Sequence, residues 1–509
     1  MKRHVFSFNS KTRLASALLI LPQLAAAEDY YRKTKGYRVE PDSDPPAYVR
    51  NLSNTQFEQF RDVEWLDVGL DFRTRYEYRE NDLRRRNDPT SGATLNSYRN
   101  DPDNLWLLRT RAYLGVKDIL DPLRFALEFE DARSYSGIYE KTDADINEFE
   151  LIQGYAEWYF NQALGHNRPL SIRAGRMAFE QLDRRFIGNN QFRNTTNNFE
   201  GFRVRFGKKQ NNWDLDTFAL QPVERLKYAF DRPDENTWFY GGILSLKQWS
   251  DFITIQPYFL GRKVAGDPYN PVALNRVNDQ AIYAPGLRVY GVFGNSDFDF
   301  DANINKQFGR KGATKIVAGK SVQVMEQHDA LAYSLETGYS FNQDWKPRAS
   351  LYYGYGSGDK NPGDNINQRL DTFYGFNQPW SRNDYFSWDN IHAPKARLEF
   401  TPYKELRIDM GYNAYWLQSE TGGWSRANLR DRTGQSGSFL GHEFDIRLRH
   451  QLNPYVDWSL SYARFTPGAY TKSFDKGNTA NGPFSSEPGN FFYVEVSLNA
   501  FGGGKPKYQ

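Results

Sequence analysis

The chain contains no cysteine, which excludes disulfide scaffolds, thiolate metal sites and thiol catalysis. Beyond residue 27 it also lacks any apolar run near the roughly 20 residues that a membrane-spanning helix requires. No linker, composition shift or internal repeat marks a domain boundary. One large unit is therefore expected, without disulfides and without membrane-spanning helices.

The first 27 residues have the pattern of a cleavable signal peptide. Basic residues precede the apolar stretch 14–24, and three alanines stand before the charged Glu28. Removing this segment leaves 482 of the 509 residues and reduces the basic residues from 65 to 61, against 62 acidic ones, so the net charge becomes −1. A Sec-type export signal is predicted, and any preference for an anionic partner must come from where the arginines lie.

Residues 66–78 alternate between an apolar or aromatic face and a polar face, which is typical of a β-strand. The apolar face holds Leu66, Val68, Leu70, Phe72, Thr74, Tyr76 and Tyr78. The polar faces of this and similar segments are too highly charged for a dry core. Aromatic residues make up 16% of the chain, which suits the aromatic girdles of outer-membrane barrels. The apolar faces are therefore expected to contact lipid and the charged faces a water-filled lumen.

Eighteen candidate strands follow one another, and the connections between them alternate between long and short. The strands are predicted at 64–79, 104–117, 122–132, 149–160, 169–177, 199–206, 213–220, 237–247, 252–260, 284–294, 297–308, 331–341, 346–356, 393–401, 404–417, 441–452, 455–465 and 491–501. The long connections are 80–103, 133–148, 178–198, 221–236, 261–283, 309–330, 357–392, 418–440 and 466–490. Outer-membrane barrels place short turns on the periplasmic side and long loops outside.

The predicted fold is thus all-β: a transmembrane antiparallel β-barrel of about 18 strands with long extracellular loops and short periplasmic turns. The chain divides into a signal peptide (1–27), a periplasmic N-terminal segment (28–62), the barrel (63–501) and a C-terminal tail (502–509). The N-terminal segment is expected to be a disordered tail. Entry into the pore as a gate, or contact with an assembly partner, are the alternatives.

Arginine is frequent on the faces that oppose the apolar sets. Guanidinium groups pair with carboxylates through planar forks, and rings of arginine favour anions in pores. The predicted substrate path contains Arg73, Arg75, Arg109, Arg111, Arg176, Arg203, Arg205, Arg447 and Arg449, with the acidic Glu443 and Asp445 among them. Further lumen arginines are Arg124, Arg173, Arg397 and Arg407. The alternative interpretation is that these charges pair with one another and stiffen the wall.

Signals for catalysis or metal binding are scarce. The six histidines are dispersed, and only His442, with Glu443 and Asp445, resembles a cluster. The sequence carries no nucleotide fingerprint and no serine nucleophile elbow. No catalytic residue, metal, cofactor or nucleic-acid partner is predicted.

An ordered series of motifs runs from about residue 60 to 500. The pieces are Gly175-Arg176, Asp183 to Gly188, Asn198 to Arg203, Gly356 to Asp359, Leu440 to Arg449 and Tyr462 to Tyr470. Together they resemble the alginate-export family, outer-membrane barrels that secrete an acidic exopolysaccharide. The resemblance implies an eighteen-stranded monomer with an electropositive constriction, gated by an outer loop and a periplasmic loop.

One departure from that family concerns the penultimate strand. In the family's alginate exporter this strand supplies inward arginines before a Phe-x-Pro-Gly turn, whereas the matching positions here are Ser459 and Ser461. Arg447 and Arg449, one strand earlier, are candidates to replace those charges. If Arg447 and Arg449 do not replace those charges, this family member is expected to carry a different glycan or a small solute.

Three functions are compatible with these features. The first is an outer-membrane channel of a Gram-negative bacterium that exports an anionic, alginate-like polysaccharide through an arginine-lined lumen. The second is a general or small-solute uptake porin, and the third is a barrel enzyme acting on lipid or peptide. The expected partners are an anionic polysaccharide or other anionic solute, outer-membrane lipid and lipopolysaccharide, and periplasmic secretion proteins.

Overall fold

Eighteen antiparallel strands form a closed barrel in a computed structural model. The structure describes residues 44–502 except 85, 88–93, 96–101, 267–278, 318–319, 362, 378–379, 475–477, 480–481 and 484–485. The strands are β1 (Leu66–Glu80), β2 (Asp103–Val116), β3 (Leu123–Ser136), β4 (Asn147–Phe160), β5 (Leu170–Met177), β6 (Phe199–Phe206), β7 (Trp213–Glu224), β8 (Thr237–Leu246), β9 (Ile253–Val264), β10 (Gln280–Val292), β11 (Phe298–Val317), β12 (Lys320–Ser340), β13 (Arg348–Gly356), β14 (Ile391–Tyr403), β15 (Leu406–Trp416), β16 (Phe439–Asn453), β17 (Val456–Pro467) and β18 (Gly489–Asn499). Each strand pairs with the next, and β18 pairs with β1. The predicted barrel of about 18 strands is confirmed.

The two faces of each strand differ in the way that the alternation predicts. In β1 the side chains of Arg73 and Arg75 are buried inside the barrel, whereas Leu70 and Phe72 are exposed on its outer surface. An apolar outer surface around a charged interior is the arrangement of a barrel in lipid. No helix within the described part of the chain is long and apolar enough to cross a membrane.

The connections separate by length onto the two ends of the barrel. At one end, called here the short-turn end, they span two to nine residues, and at the other, the long-loop end, ten to 34 residues. The exception is the connection after β11, where the predicted loop 309–330 is wrong. There β11 and β12 continue as a paired hairpin with only residues 318–319 between them. Val322 and Val324 belong to the extended part, and such β-branched residues favour strands.

Two long connections, residues 178–198 and 357–390, fold into the barrel and are called here the inner loops. The backbone N–H of Gly188 donates to the Tyr374 carbonyl at 3.1 Å, so the two loops are hydrogen-bonded to each other. The rings of Phe186 and Trp388, one from each loop, lie 5.0 Å apart. Aromatic contacts of this kind give the long-loop half of the barrel an apolar core.

The N-terminal segment enters the lumen from the short-turn end. Arg50 and Asn51 pair with Val68 and Asp67 of β1, and the preceding residues turn inward as far as Asp44. The expected disordered tail is therefore wrong for residues 44–51, which form backbone pairs and ion pairs with the wall. The predicted signal peptide, residues 28–43 and residues 503–509 lie outside the described part of the chain.

Candidate functional site

A cavity of about 1880 Å³ lies in the lumen between the inner loops and the short-turn end. Residues 178–183 of one inner loop line it, as do residues 207–210 and 341–344 of the short turns. Among its described lining residues, fourteen are basic and eleven acidic, an excess of three positive charges. Such an excess raises the local concentration of anions, since a charged cleft concentrates its counter-ions.

Two predicted path residues on β1 hold an inner loop. Arg73 donates to the carbonyls of Gln191 and Arg193 at 2.8 and 2.7 Å. Arg75 donates to the Phe192 carbonyl at 2.5 Å, and its guanidinium lies 4.2 Å from the centre of the Phe192 ring. Both arginines therefore contact the loop rather than the cavity.

The neighbouring arginines on β2 contact the same loop. Arg109 donates to the Gln191 carbonyl at 3.4 Å. Arg111 donates to Glu130 at 2.8 Å and also to the hydroxyl of Thr196. Of the four predicted path arginines on β1 and β2, Arg111 is the one that also lines the cavity. Together they tie residues 191–196 to the barrel wall.

A second arginine cluster surrounds Asp409 of β15, whose side chain is fully buried. Arg382 of an inner loop and Arg397 of β14 lie 3.2 and 3.1 Å from this carboxylate. Arg447 and Arg449 of β16 lie 3.1 and 2.8 Å from it. Asp445 lies 3.5 Å from Arg382, so four guanidinium groups face two carboxylates, and these six side chains carry a formal charge of +2. Arg449 lines the cavity and brings part of this charge to it.

The two acidic path residues on β16 hold the other inner loop in place. Glu443 accepts hydrogen bonds from the Ser381 hydroxyl at 2.6 Å, the Arg382 backbone at 2.8 Å and the Asn383 amide at 2.8 Å. Asp445 lies 3.5 Å from the Arg382 guanidinium. Both acids therefore position residues 381–383 over the Asp409 cluster.

The serines of the penultimate strand lie beside the β16 arginines. Ser461 is directly opposite Arg447, and Ser459 is directly opposite Arg449. Like charges directly opposite each other on paired strands destabilise a sheet, whereas serine adds no charge at that position. The structure thus places Arg447 and Arg449 one strand away from the two positions where the family pattern has its arginines.

The remaining path residues lie on β5 and β6. Arg203 pairs with Asp216 at 2.6 Å, and Arg205 lies 2.9 Å from Asp44 of the N-terminal segment; both line the cavity. Arg176, near the long-loop end of β5, pairs with Glu150 at 2.8 Å and does not line it.

The histidine cluster suggested by the sequence does not form. His442 packs against the ring of Tyr412 at 5.5 Å, whereas Glu443 points into the barrel, because neighbours in a strand face opposite ways. Within the described residues no three histidine or acidic side chains converge as metal ligands would.

Several charged residues near the cavity or its clusters are missing from the predicted path, among them Arg288, Asp44 and Arg382. Arg288 lines the cavity and pairs with Asp301 at 2.5 Å, and its alternating position in the predicted strand 284–294 could have identified it. Asp44 and Arg382 lie in irregular segments, where the sequence has no periodicity that would indicate an inward direction.

Comparisons with known proteins give one family and one fold. A family model described as alginate export matches residues 64–481. No curated protein sequence matches the chain. The chain resembles the crystal structure of Pseudomonas aeruginosa OccK8 (OprE), with a TM-score of 0.52, 10% identity, and coverage of 85% of this chain and 98% of that one. It also resembles Acinetobacter baumannii OccAB1, with a TM-score of 0.51, 11% identity, and coverage of 86% and 97%. At such identities the likeness shows the fold alone.

Proposed function

The chain belongs to the alginate export family, and from that premise we propose that this outer-membrane channel exports an anionic polysaccharide, alginate or a similar polyuronate. The observation that carries the proposal is the cluster of four arginines around the buried carboxylate of Asp409. This cluster joins an inner loop to the cavity, where a passing chain would meet it.

A polyuronate carries one carboxylate per sugar and suits a lumen of this composition. Arginine binds carboxylates through paired hydrogen bonds. The acids that interleave with the arginines weaken each contact, and conduction requires binding that is strong enough to enter and weak enough to leave. A chain of uronates would therefore move by successive weak exchanges between neighbouring arginines.

Passage of a polymer also requires the inner loops to move. They fill the long-loop half of the barrel, which in this class of protein is the extracellular half. The hydrogen bonds from Arg73, Arg75 and Arg111 and to Glu443 define the contacts that must exchange when the path opens. In this proposal these residues act as gate contacts as well as path residues.

A small-solute uptake porin is the second candidate. The observation that favours it is the extent of ion pairing, which leaves an excess of only three positive charges along the cavity. A small anion could pass such a cavity without a large movement of the loops.

Planar bilayer recordings with the full barrel test the first proposal. We expect anion-selective current that polymannuronate blocks from the short-turn side, with uncharged dextran of the same length as the control. Cation selectivity, or equal block by dextran, would contradict it. Small uronates that pass while polymannuronate neither blocks nor passes would support the second candidate.

The proposal includes a cellular setting. The barrel acts as a monomer in outer-membrane lipid beside lipopolysaccharide, and periplasmic secretion proteins deliver the polymer. Export of the chain itself by residues 1–27 stays a prediction.

A further inference from the structure

Asp44 places a carboxylate between two arginines of the cavity wall. Its side chain lies 3.1 Å from Arg173 of β5 and 2.9 Å from Arg205 of β6. The Arg173 side chain is buried, whereas 28% of the Asp44 side chain remains exposed. Asp44 therefore lies against the wall of the cavity, where a solute in the lumen can reach it.

The two arginines have a second acidic partner, which belongs to the wall itself. Glu157 of β4 lies 3.2 Å from both Arg173 and Arg205, and it accepts a hydrogen bond from Ser171. The ring of Tyr155 lies 3.8 Å below the Arg173 guanidinium. Because these contacts come from neighbouring strands, the arginines keep their positions when Asp44 leaves. Two guanidinium groups then face one carboxylate, which leaves one positive charge open to the lumen.

The described segment that follows Asp44 is anchored to the wall at Tyr48. Tyr48 donates to Glu128 at 2.7 Å, and its ring lies where a side chain at position 69 would be, which Gly69 leaves free. Burial opposes ionisation of Asp44, but Arg173 and Arg205 outweigh it and hold the pKa of this carboxyl below its ordinary value. The carboxylate is therefore charged under the same conditions as a uronate.

From this geometry we infer that Arg173 and Arg205 form a binding site for a uronate carboxylate, and that Asp44 occupies this site until a substrate carboxylate displaces it. The inference rests on the proposed function for the identity of the substrate. To the proposed function it adds a subsite at the periplasmic end of the path, formed by Arg173 and Arg205. Asp44 of the chain itself occupies this subsite when no substrate is bound.

An internal occupant lowers the apparent affinity for the external ligand. If Asp44 fills the site for about nine-tenths of the time, the apparent affinity for a uronate is reduced about tenfold, because only the unoccupied fraction can bind. An incoming polymer overcomes this competition, since each further uronate binds at a high effective concentration. The segment would thus admit polyuronate chains in preference to single sugar acids.

The test uses sodium glucuronate as a single-carboxylate probe in bilayer recordings of the full barrel. Asp44→Asn is expected to lower the glucuronate concentration for half-block about tenfold. Asp214→Asn is the matched control, because Asp214 lines the same cavity but pairs with Lys247 at 2.5 Å. It makes the same change in cavity charge and is expected to leave the half-block concentration unchanged. In an Asp44→Asn/Arg205→Gln double variant the gain should disappear.

The outcomes separate this inference from the proposed function. Equal glucuronate block in the wild type and Asp44→Asn, or an equal gain in Asp214→Asn, would overturn the inference, as would a double variant that retains the gain. If Asp44→Asn gains glucuronate affinity but polymannuronate neither blocks nor passes, the carboxylate site stands and the export proposal fails.

Discussion

Replacing Arg449 with glutamate tests whether the cavity sets ion selectivity. The change alters the wall charge by two units and reduces the excess of three positive charges to one. The barrel is expected to keep its fold, because Asp409 retains Arg382, Arg397 and Arg447 as partners.

The size of the effect follows from the volume of the cavity. A volume of 1880 Å³ equals a sphere of about 8 Å radius, and at that distance in water a unit charge changes the energy of an ion by about 0.5 kcal/mol. A wall that is two units more negative raises the energy of a monovalent anion by about 1 kcal/mol and lowers that of a monovalent cation by the same amount. The anion-to-cation permeability ratio should therefore fall about fifteenfold in ~0.01 M salt, and only about fivefold in ~0.1 M salt, where screening is stronger.

The reversal potential of single barrels in a salt gradient measures this ratio. Arg449→Gln should give half the shift on a logarithmic scale, because it removes one charge instead of reversing it. Arg232→Glu is the control: Arg232 pairs with Glu224 in an exposed position and does not line the cavity. An unchanged reversal potential in Arg449→Glu, or the same shift in Arg232→Glu, would refute the reasoning.

Three further predictions concern the clusters around the cavity. Asp409→Asn removes the carboxylate from four arginines and is expected to lower the free energy of unfolding by about 3 kcal/mol, measured by urea titration; a loss below about 1 kcal/mol would contradict the central role of Asp409. Glu443→Ala removes the acceptor of four hydrogen bonds from residues 381–383, so limited proteolysis should cleave that loop faster than in the wild type, and equal rates would argue against this anchor. Burial raises the pKa of the Asp44 carboxyl, but its arginine partners outweigh burial and the pKa is lowered. Its ion pairs are therefore fully formed above the ordinary aspartate pKa and break only as the pH falls through the lowered value. Glucuronate block should therefore still differ between the wild type and Asp44→Asn at about pH 4, close to the ordinary aspartate pKa, and convergence of the two by that pH would contradict the assignment.

The barrel could be predicted because each of its strands carries its own signal. Lipid on one side and water on the other impose alternation at every second residue, as at Leu70, Asp71, Phe72 and Arg73. The alternation of long and short connections then indicated which strand ends lie at the same end of the barrel. The extension of β11 and β12 was not predicted, because alternation does not show where a strand leaves the membrane, and the strands stay paired as far as Val317 and Lys320.

The inner contacts could not be predicted, because they join irregular segments to distant strands. Asp44 and Arg205 are 161 residues apart, and Arg73 and Gln191 are 118 apart. Inward-facing positions such as Arg203 and Arg205 follow from the strand period, but which loop carbonyl or carboxylate each arginine meets depends on how the loops fold back. Strand periodicity therefore predicts whether a side chain faces the lumen or the lipid, but it does not identify the residue that the side chain contacts.

The closure of β18 onto β1 has a consequence for the order of assembly. Arg73 and Arg109 are directly opposite each other in the first hairpin, where Asp71 lies 3.9 Å from Arg109. Glu495 of the last strand adds a second acid, 3.6 Å from Arg73 and 3.1 Å from Arg75. Closure of the barrel thus completes the ion pairing of the arginines on the first strand. Membrane insertion should then be completed in one late, concerted step, with the two chain ends recognising each other electrostatically before the ladder between them forms.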